Sequence, residues 1–191
     1  MPNPAADTKP IIAHIDGGSR GNPGPAAYAV VVSTQDGSQL AAFSRYLGHA
    51  TNNVAEYQGL LAALDYALEH NYRRLKIITD SELLARQIDG RYQVKNQNLQ
   101  ALHERARELI AQFQAFRIEH VRREHNREAD RLANEAMDAA LKHQGPAQTP
   151  TTGPDPLRAT ATHRQGVLEL DGSLPLGEGE RVDLKIERRK E

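Results

Sequence analysis

The chain has 191 residues, 39% apolar and 5% aromatic, with no tryptophan, no cysteine and a formal net charge of −1. That length allows one ordinary domain, its core built from Ala, Val, Ile and Leu, plus a small appendage. The missing cysteines exclude disulfides and thiolate metal sites, so any metal must be held by oxygen or imidazole. No apolar run approaches the ~18 residues of a membrane span. Met1–Pro10 is short, polar and proline-containing, without the apolar stretch of a signal peptide. A cytoplasmic protein with no membrane partner is therefore expected, with residues 1–10 disordered. Residues 1–143 carry 17 Lys+Arg and 17 Asp+Glu, so this segment is neutral. Neutrality argues mildly against tight non-specific DNA binding, although a basic face can still stand beside an acidic site.

In chain order, residues 11–16 (IIAHID) predict a strand ending at Asp16, followed by the glycine- and proline-rich turn GGSRGNPGP. Residues 26–34 and 39–47 predict two more strands. Asp36-Gly37 sits between them and suits the positive φ angles of a tight hairpin. Thr51 can cap a helix running to about His70, in which Val54, Tyr57, Leu61, Leu64 and Leu68 recur at helical spacing. Residues 75–79 predict a strand ending at Asp80. Ser81 or Asp80 can cap a short helix over 82–88, and a further helix spans 97–112. Residues 115–122 are strand-like, and 127–142 carry a last amphipathic helix.

The order β-β-β-α-β-α-α-β-α implies an α/β fold, a mixed sheet flanked by helices. Residues 144–157 read as a linker: QGPAQTPTTGPDP holds four prolines and two glycines in thirteen residues. Beyond it, residues 158–191 read as a short β-rich extension, with two strands around Asp171-Gly172 and Gly177-Glu178-Gly179. So small a segment is expected to dock or to self-associate.

Four carboxylates stand where stability alone would not put them. Asp16 and Asp80 end strands, where ligands gather in open α/β sheets. Glu56 lies on the shoulder of its helix's apolar face, with Leu60 and Ala63, and Asp130 flanks the apolar face of the last helix. Singly each has an ordinary explanation: a turn residue, a helix cap, a partner for arginine. Four together repel one another unless a cation joins them. Hard oxygen ligands suit Mg²⁺ or Mn²⁺, and two such ions about 4 Å apart support phosphodiester hydrolysis.

The segments IDGGSRGNPGP (15–25), TNNVAEYQGLLAAL (51–64), ITDSELL (78–84) and NREADRLANEAM (126–137) resemble the type 1 ribonuclease H family. The resemblance frames residues 10–143 and is specific, because the acidic set comes in order and with its flanking residues. It implies a ribonuclease H-like fold, a five-stranded mixed sheet flanked by helices. It implies an endonuclease that hydrolyses the RNA strand of RNA–DNA hybrids, leaving 3′-hydroxyl and 5′-phosphate ends. By the same match, Asp16, Glu56, Asp80 and Asp130 would bind two Mg²⁺ ions, with Mn²⁺ as a substitute. Gly17, Gly18 and Ser19, with the Glu56 carboxylate, would face RNA 2′-hydroxyls. Asn22, Asn52 and Asn53 would sit in the minor groove of the hybrid, and Thr51 would help hold a DNA phosphate. From the residues themselves, the glycines of the first turn allow close backbone approach to a substrate, and Asn amides suit base edges of either kind.

Three features depart from the family. Many members carry a His on a longer loop before the last carboxylate, whereas His125 lies only five residues ahead of Asp130. An acid–base role and an exposed loop His are both open for it. The Lys- and Trp-rich handle of some relatives is replaced by GRYQVKNQN (90–98), which implies weaker hybrid binding. Arg91, Lys95, Arg122, Arg123 and Arg127 are left as a smaller phosphate-facing patch or as solvated surface. The tail, in LPLGEGERVDLKI, looks somewhat like a small antitoxin-type β domain. The catalytic domain is expected to be monomeric, with self-association through the tail. The competing functions are a hybrid-binding module that does not cut, a nuclease of the same fold acting on other nucleic acids, and an interaction protein whose working part is the tail.

Overall fold

The computed structural model describes residues 9–143, 161–164 and 167–170. The chain divides into two units, Met1–Gly145 and Pro146–Glu191. The expected linker at 144–157 and residues 1–8 lie outside the described residues.

The first unit holds strands β1 (Ile11–Ser19), β2 (Gly24–Thr34) and β3 (Gln39–Ala50), helix α1 (Asn52–Glu69), strand β4 (Arg74–Thr79) and helices α2 (Glu82–Ile88) and α3 (Gln97–Ile110). Strand β5 (Ala115–His120), a 3₁₀ turn (Arg123–His125) and helix α4 (Arg127–His143) complete it. The sheet order is β3-β2-β1-β4-β5. β1 and β3 run antiparallel to β2, while β4 is parallel to both β1 and β5. This is the mixed five-stranded sheet and element order that the sequence implies.

Two boundaries differ in a way that matters for the site. β1 does not stop at Asp16 but continues through the glycines, with Asp16 opposite Ala29 and Ser19 opposite Ala26. The turn is correspondingly tight, and Arg20 N–H donates to Pro25 O at 2.8 Å. β5 ends at His120 rather than 122, yet Val121 N–H still donates to Thr79 O at 2.9 Å.

Gly17 and Gly18 show how the layers stack. A Cβ at Gly17 would meet α1 at Ala55, and one at Gly18 would meet Met137 of α4. Successive strand residues point to opposite faces, so α1 and α4 sandwich β1. The core between α1 and the sheet includes Ile11, Ile15, Val30, Leu60, Leu64 and Ile77, each fully buried. Thr51 caps α1 as expected, its hydroxyl accepting from Val54 N–H at 3.3 Å. Ser81, not Asp80, caps α2, accepting from Leu84 N–H at 3.4 Å, which leaves the Asp80 carboxylate free of that duty.

In the second unit, β6 (Ala161–Arg164) and β7 (Val167–Leu170) pair antiparallel with Arg164 opposite Val167. β7 ends just before Asp171, and the expected turns at Asp171-Gly172 and Gly177-Glu178-Gly179 lie outside the described residues. Gln165 and Gly166, between the strands, lie outside the described residues. Residues 171–191 lie outside the described residues. No helix among the described residues is long and apolar enough to cross a membrane.

Candidate active site

Asp16, Glu56 and Asp80 come from three different elements and converge. One carboxylate oxygen of each lies within 4.8 Å of the other two. Two local facts produce this. β1 and β4 are parallel neighbours with Ile15 opposite Thr79, so Asp16 and Asp80 leave adjacent strands at the same level. α1 is seated directly on β1 at Gly17, where an added Cβ would stand 2.3 Å from Glu56 N. That approach, open only to glycine, carries the second turn of α1 to Asp16.

The cluster is electrostatically costly on its own. Asp16 is 7% exposed and Glu56 6%. Burial, then the charges of Asp80 and Asp130, push the Asp16 carboxyl up to about 7. Burial, then Asp16 and Asp80, hold Glu56 well above the ordinary carboxylate range. Glu56 Oε2 is buried without a hydrogen-bond partner. Three carboxylates of which one keeps an unpartnered buried oxygen are a donor set suited to a hard divalent cation.

Asp130, in the first turn of α4, is close enough for its charge to raise Asp16, but it is not one of the three that converge. It is bound by Arg123 instead: the guanidinium Nη2 pairs with Asp130 Oδ1, and Nε donates to the same oxygen at 3.1 Å. His125 stands exposed in the 3₁₀ turn, its Nε2 3.6 Å from Glu124 Oε1. It is not among the converging groups. Arg91, Lys95, Arg122 and Arg127 are all exposed.

The other expected binding residues fall into two places. Gly17, Gly18 and Ser19 form the end of β1, and the small size of Gly17 is taken up by α1. Ser19 Oγ is buried without a partner. Asn22, Thr51 and Asn53 line a pocket of about 200 Å³ together with Val54, Asn96, Asn98 and Leu99. Asn52 joins through its backbone N–H, which donates to Asn22 Oδ1 at 3.2 Å. Asn96 is the N-cap of α3, accepting from Asn98 N–H at 2.9 Å. The first turns of α1 and α3 thus open on one hollow, and such ends favour anions.

Sequence reasoning missed Asn96 and Asn98, which only tertiary packing brings to Thr51. It also missed Asn126, which is 1% exposed. The Asn126 amide donates to Ile15 O at 2.8 Å and to Asp80 Oδ1 at 3.3 Å, and its Oδ1 lies 3.3 Å from His14 Nδ1. Burial holds half-buried His14 below the ordinary histidine range despite that bond.

Comparison with known proteins places this geometry. The family described as "Reverse transcriptase-like" matches residues 14–136. The bifunctional protein Rv2228c of Mycobacterium tuberculosis is 45% identical over 153 residues, 80% of this chain and 40% of that protein, so the chain spans less than half of that relative's length. A ribonuclease HI of Halobacterium salinarum is 43% identical over 130 residues, 68% of this chain and 65% of that one. Among solved structures, the N-terminal RNase H domain of Rv2228c superposes with a TM-score of 0.69 at 45% identity, covering 72% of this chain and all of that one. LC11-RNase H1 in complex with an RNA/DNA hybrid, a protein isolated from compost, superposes at 0.65 with 39% identity, covering 69% and 99%. Nothing in these matches supports the antitoxin-like reading of the tail. They align instead with the acidic sheet unit, whole domain against whole domain, and on that ground the chain belongs to the ribonuclease HI-like branch of the reverse transcriptase-like family.

Proposed function

We propose that the chain is an endonuclease that hydrolyses the RNA strand of RNA–DNA hybrids, leaving 3′-hydroxyl and 5′-phosphate ends. The observation that carries this reading is the convergence of buried Asp16 and Glu56 with part-buried Asp80, Glu56 Oε2 being unpartnered. Asp16, Glu56, Asp80 and Asp130 would hold two Mg²⁺ ions, or Mn²⁺ in their place. When bound, these ions supply the Lewis acidity that activates water and stabilises the leaving oxygen. Arg123 engages only Oδ1 of Asp130, which leaves its second oxygen for an ion.

The remaining residues bind and orient. Peptide groups of Gly17, Gly18 and Ser19, with Glu56, would meet the RNA 2′-hydroxyls, through which a protein tells RNA from DNA. Asn22, Asn52 and Asn53 would lie in the minor groove. Thr51, with Asn96 and Asn98 around the same hollow, would take a phosphate of the DNA strand. His125 would act as an auxiliary proton carrier. We further propose that residues 11–143 are the catalytic domain, joined by a linker at 144–157 to an extension at 158–191 through which the protein self-associates, and that it works in the cytoplasm.

The test is cleavage of an end-labelled hybrid in Mg²⁺, beside single-stranded RNA, double-stranded RNA and double-stranded DNA, with EDTA and Asp16→Asn as controls. Metal-dependent cutting confined to the hybrid's RNA strand, and lost in Asp16→Asn, is the expected result. A folded protein that binds hybrid without cutting in Mg²⁺ or Mn²⁺ would replace this reading with the binding-module one. Cutting of another substrate would identify a different nuclease of the same fold.

A further inference from the structure

Asn126 immediately precedes α4, where an asparagine ordinarily turns its side chain back to cap the helix. This one does not. Its Oδ1 faces His14 Nδ1 rather than a helix N–H, and its amide group is spent on Ile15 O and Asp80 Oδ1. The side chain is thus bonded to the residue before Asp16 on β1 and to Asp80 after β4. Its own carbonyl receives the N–H of Asp130 at 3.1 Å. The buried side-chain amide thus ties Asp80 to the residue before Asp16, while the backbone of the same residue holds the first turn of the helix that carries Asp130.

The chemistry of that amide suits a clamp. It is neutral, so it adds nothing to the charge balance of the cluster, and it donates, so it engages one oxygen of Asp80 and leaves the other for a cation. Its orientation is set from behind. An amide oxygen can only accept, so His14 must present Nδ1–H, and the NH₂ is then turned toward Ile15 and Asp80. Flipped, the amide would set its oxygen against a carboxylate and a carbonyl. Loss of a ligand-orienting partner of this kind typically costs about 10- to 100-fold in metal affinity or activity.

We infer that Asn126 is a positioning residue of the acidic site, holding Asp80 and the end of β1 in register for cation binding, with His14 fixing the direction of its amide. The inference rests on the proposed reading of that site as a cation site.

The experiment uses the full chain and two variants, Asn126→Ala and His14→Phe. Mg²⁺ and Mn²⁺ affinity is measured by titration calorimetry, and hybrid cleavage is followed across Mg²⁺ concentration. The expected result for Asn126→Ala is a weakening of cation affinity by about 10-fold or more. The hybrid KM should stay unchanged at saturating Mg²⁺, and excess Mg²⁺ should restore most of kcat. His14→Phe, which leaves the amide of Asn126 in place but no longer fixes its direction, should shift the Mg²⁺ requirement the same way by about 3-fold. A residue that merely filled space would lower kcat with the folded fraction and leave the half-saturating Mg²⁺ where it was, and that outcome overturns the inference. Should Asn126→Ala not fold, His14→Phe decides: a raised Mg²⁺ requirement supports the clamp, and an unchanged one overturns it. A wild-type chain that binds neither cation is a distinct outcome, which removes the cation-site reading and this inference with it.

Discussion

Asp16 shows how much a single side chain can report about this site. Its carboxyl is pushed up to about 7 by burial and by the acids beside it, whereas an unfolded aspartate titrates near 3.8. A folded pKa above the unfolded one means that the folded state binds the proton more tightly. The resulting stability is complete below the unfolded value and is lost as pH rises through about 7. Without divalent cation, the melting temperature should therefore fall between about pH 4 and 7, by several degrees from this group and Glu56 together. Added Mg²⁺ should reverse the loss, because a cation binds the ionised cluster, so the Mg²⁺-induced rise should be larger at high pH than at low. Thermal melts in EDTA and in Mg²⁺ across that range check both signs, and equal Mg²⁺ shifts at every pH would refute the linkage. Asp16→Asn should flatten the EDTA profile and abolish cutting. The sequence made Asp16 and Asp80 legible because strand ends in such sheets face ligands, and Glu56 because it sits on the wrong side of its helix for a surface acid. Asp130's partner was not legible: nothing in the spacing of Arg123 says that its guanidinium turns to Asp130. Asn126 was hidden for a plainer reason, since an asparagine before a helix reads as a cap.

At the level of elements, the seat of α1 on β1 is the joint that assembles the site. A Cβ at Gly17 would stand 2.3 Å from two backbone atoms of α1, and neither can yield without moving the helix. Gly17→Ala should therefore cost about 3 kcal/mol, the upper range for overpacking, and should raise the Mg²⁺ requirement by separating Glu56 from Asp16. Gly59, also on α1, is a useful contrast. A Cβ there would stand 3.4 Å from Asp16 O and 3.5 Å from Tyr28 Cβ, close to ordinary contact. Gly59→Ala should change stability by no more than about 1 kcal/mol, since helix propensity gains roughly what the tighter contact costs. Urea denaturation of the two variants checks the difference; equal losses would mean that the joint is not at Gly17. The periodicity of Val54, Tyr57, Leu61 and Leu64 foretold that α1 packs on the sheet. It could not foretell how near, because glycine in GGSRGNPGP reads equally as a turn. The strand's continuation through Gly17 and Gly18 depends on β2 returning alongside it, which is a tertiary fact.

For the whole molecule, the question is whether the acidic sheet unit is self-sufficient. Its main core draws residues from β1, β2, α1, β4, α2, α3 and β5, and α4 covers the other face of the sheet with buried Ala129, Ala133 and Met137. A segment of that size buries enough surface to fold alone. LC11-RNase H1 supplies a precedent: 99% of that chain superposes on 69% of this one. Residues 1–145 alone should therefore melt within about 3 °C of the full chain, a difference below roughly 1 kcal/mol for this size. They should also cut a hybrid with kcat unchanged within about twofold. Charge sets a second expectation. Residues 1–143 are neutral overall, and of the five basic residues singled out in the sequence, Arg91, Lys95, Arg122 and Arg127 are exposed and apart from the Arg123–Asp130 pair. If those four meet phosphates, hybrid affinity should fall by about 10² between 50 and 200 mM salt, following the counterion-release slope. The shortened and full chains should show the same slope if the tail takes no part in binding. A steeper slope in the full chain would assign Arg181, Arg188, Arg189 or Lys190 to the substrate. Light scattering of both forms separates the remaining role: a full chain that dimerises with concentration while residues 1–145 stay monomeric places self-association in the tail, and a shortened form that is unfolded or inactive would mean that the two units make one enzyme.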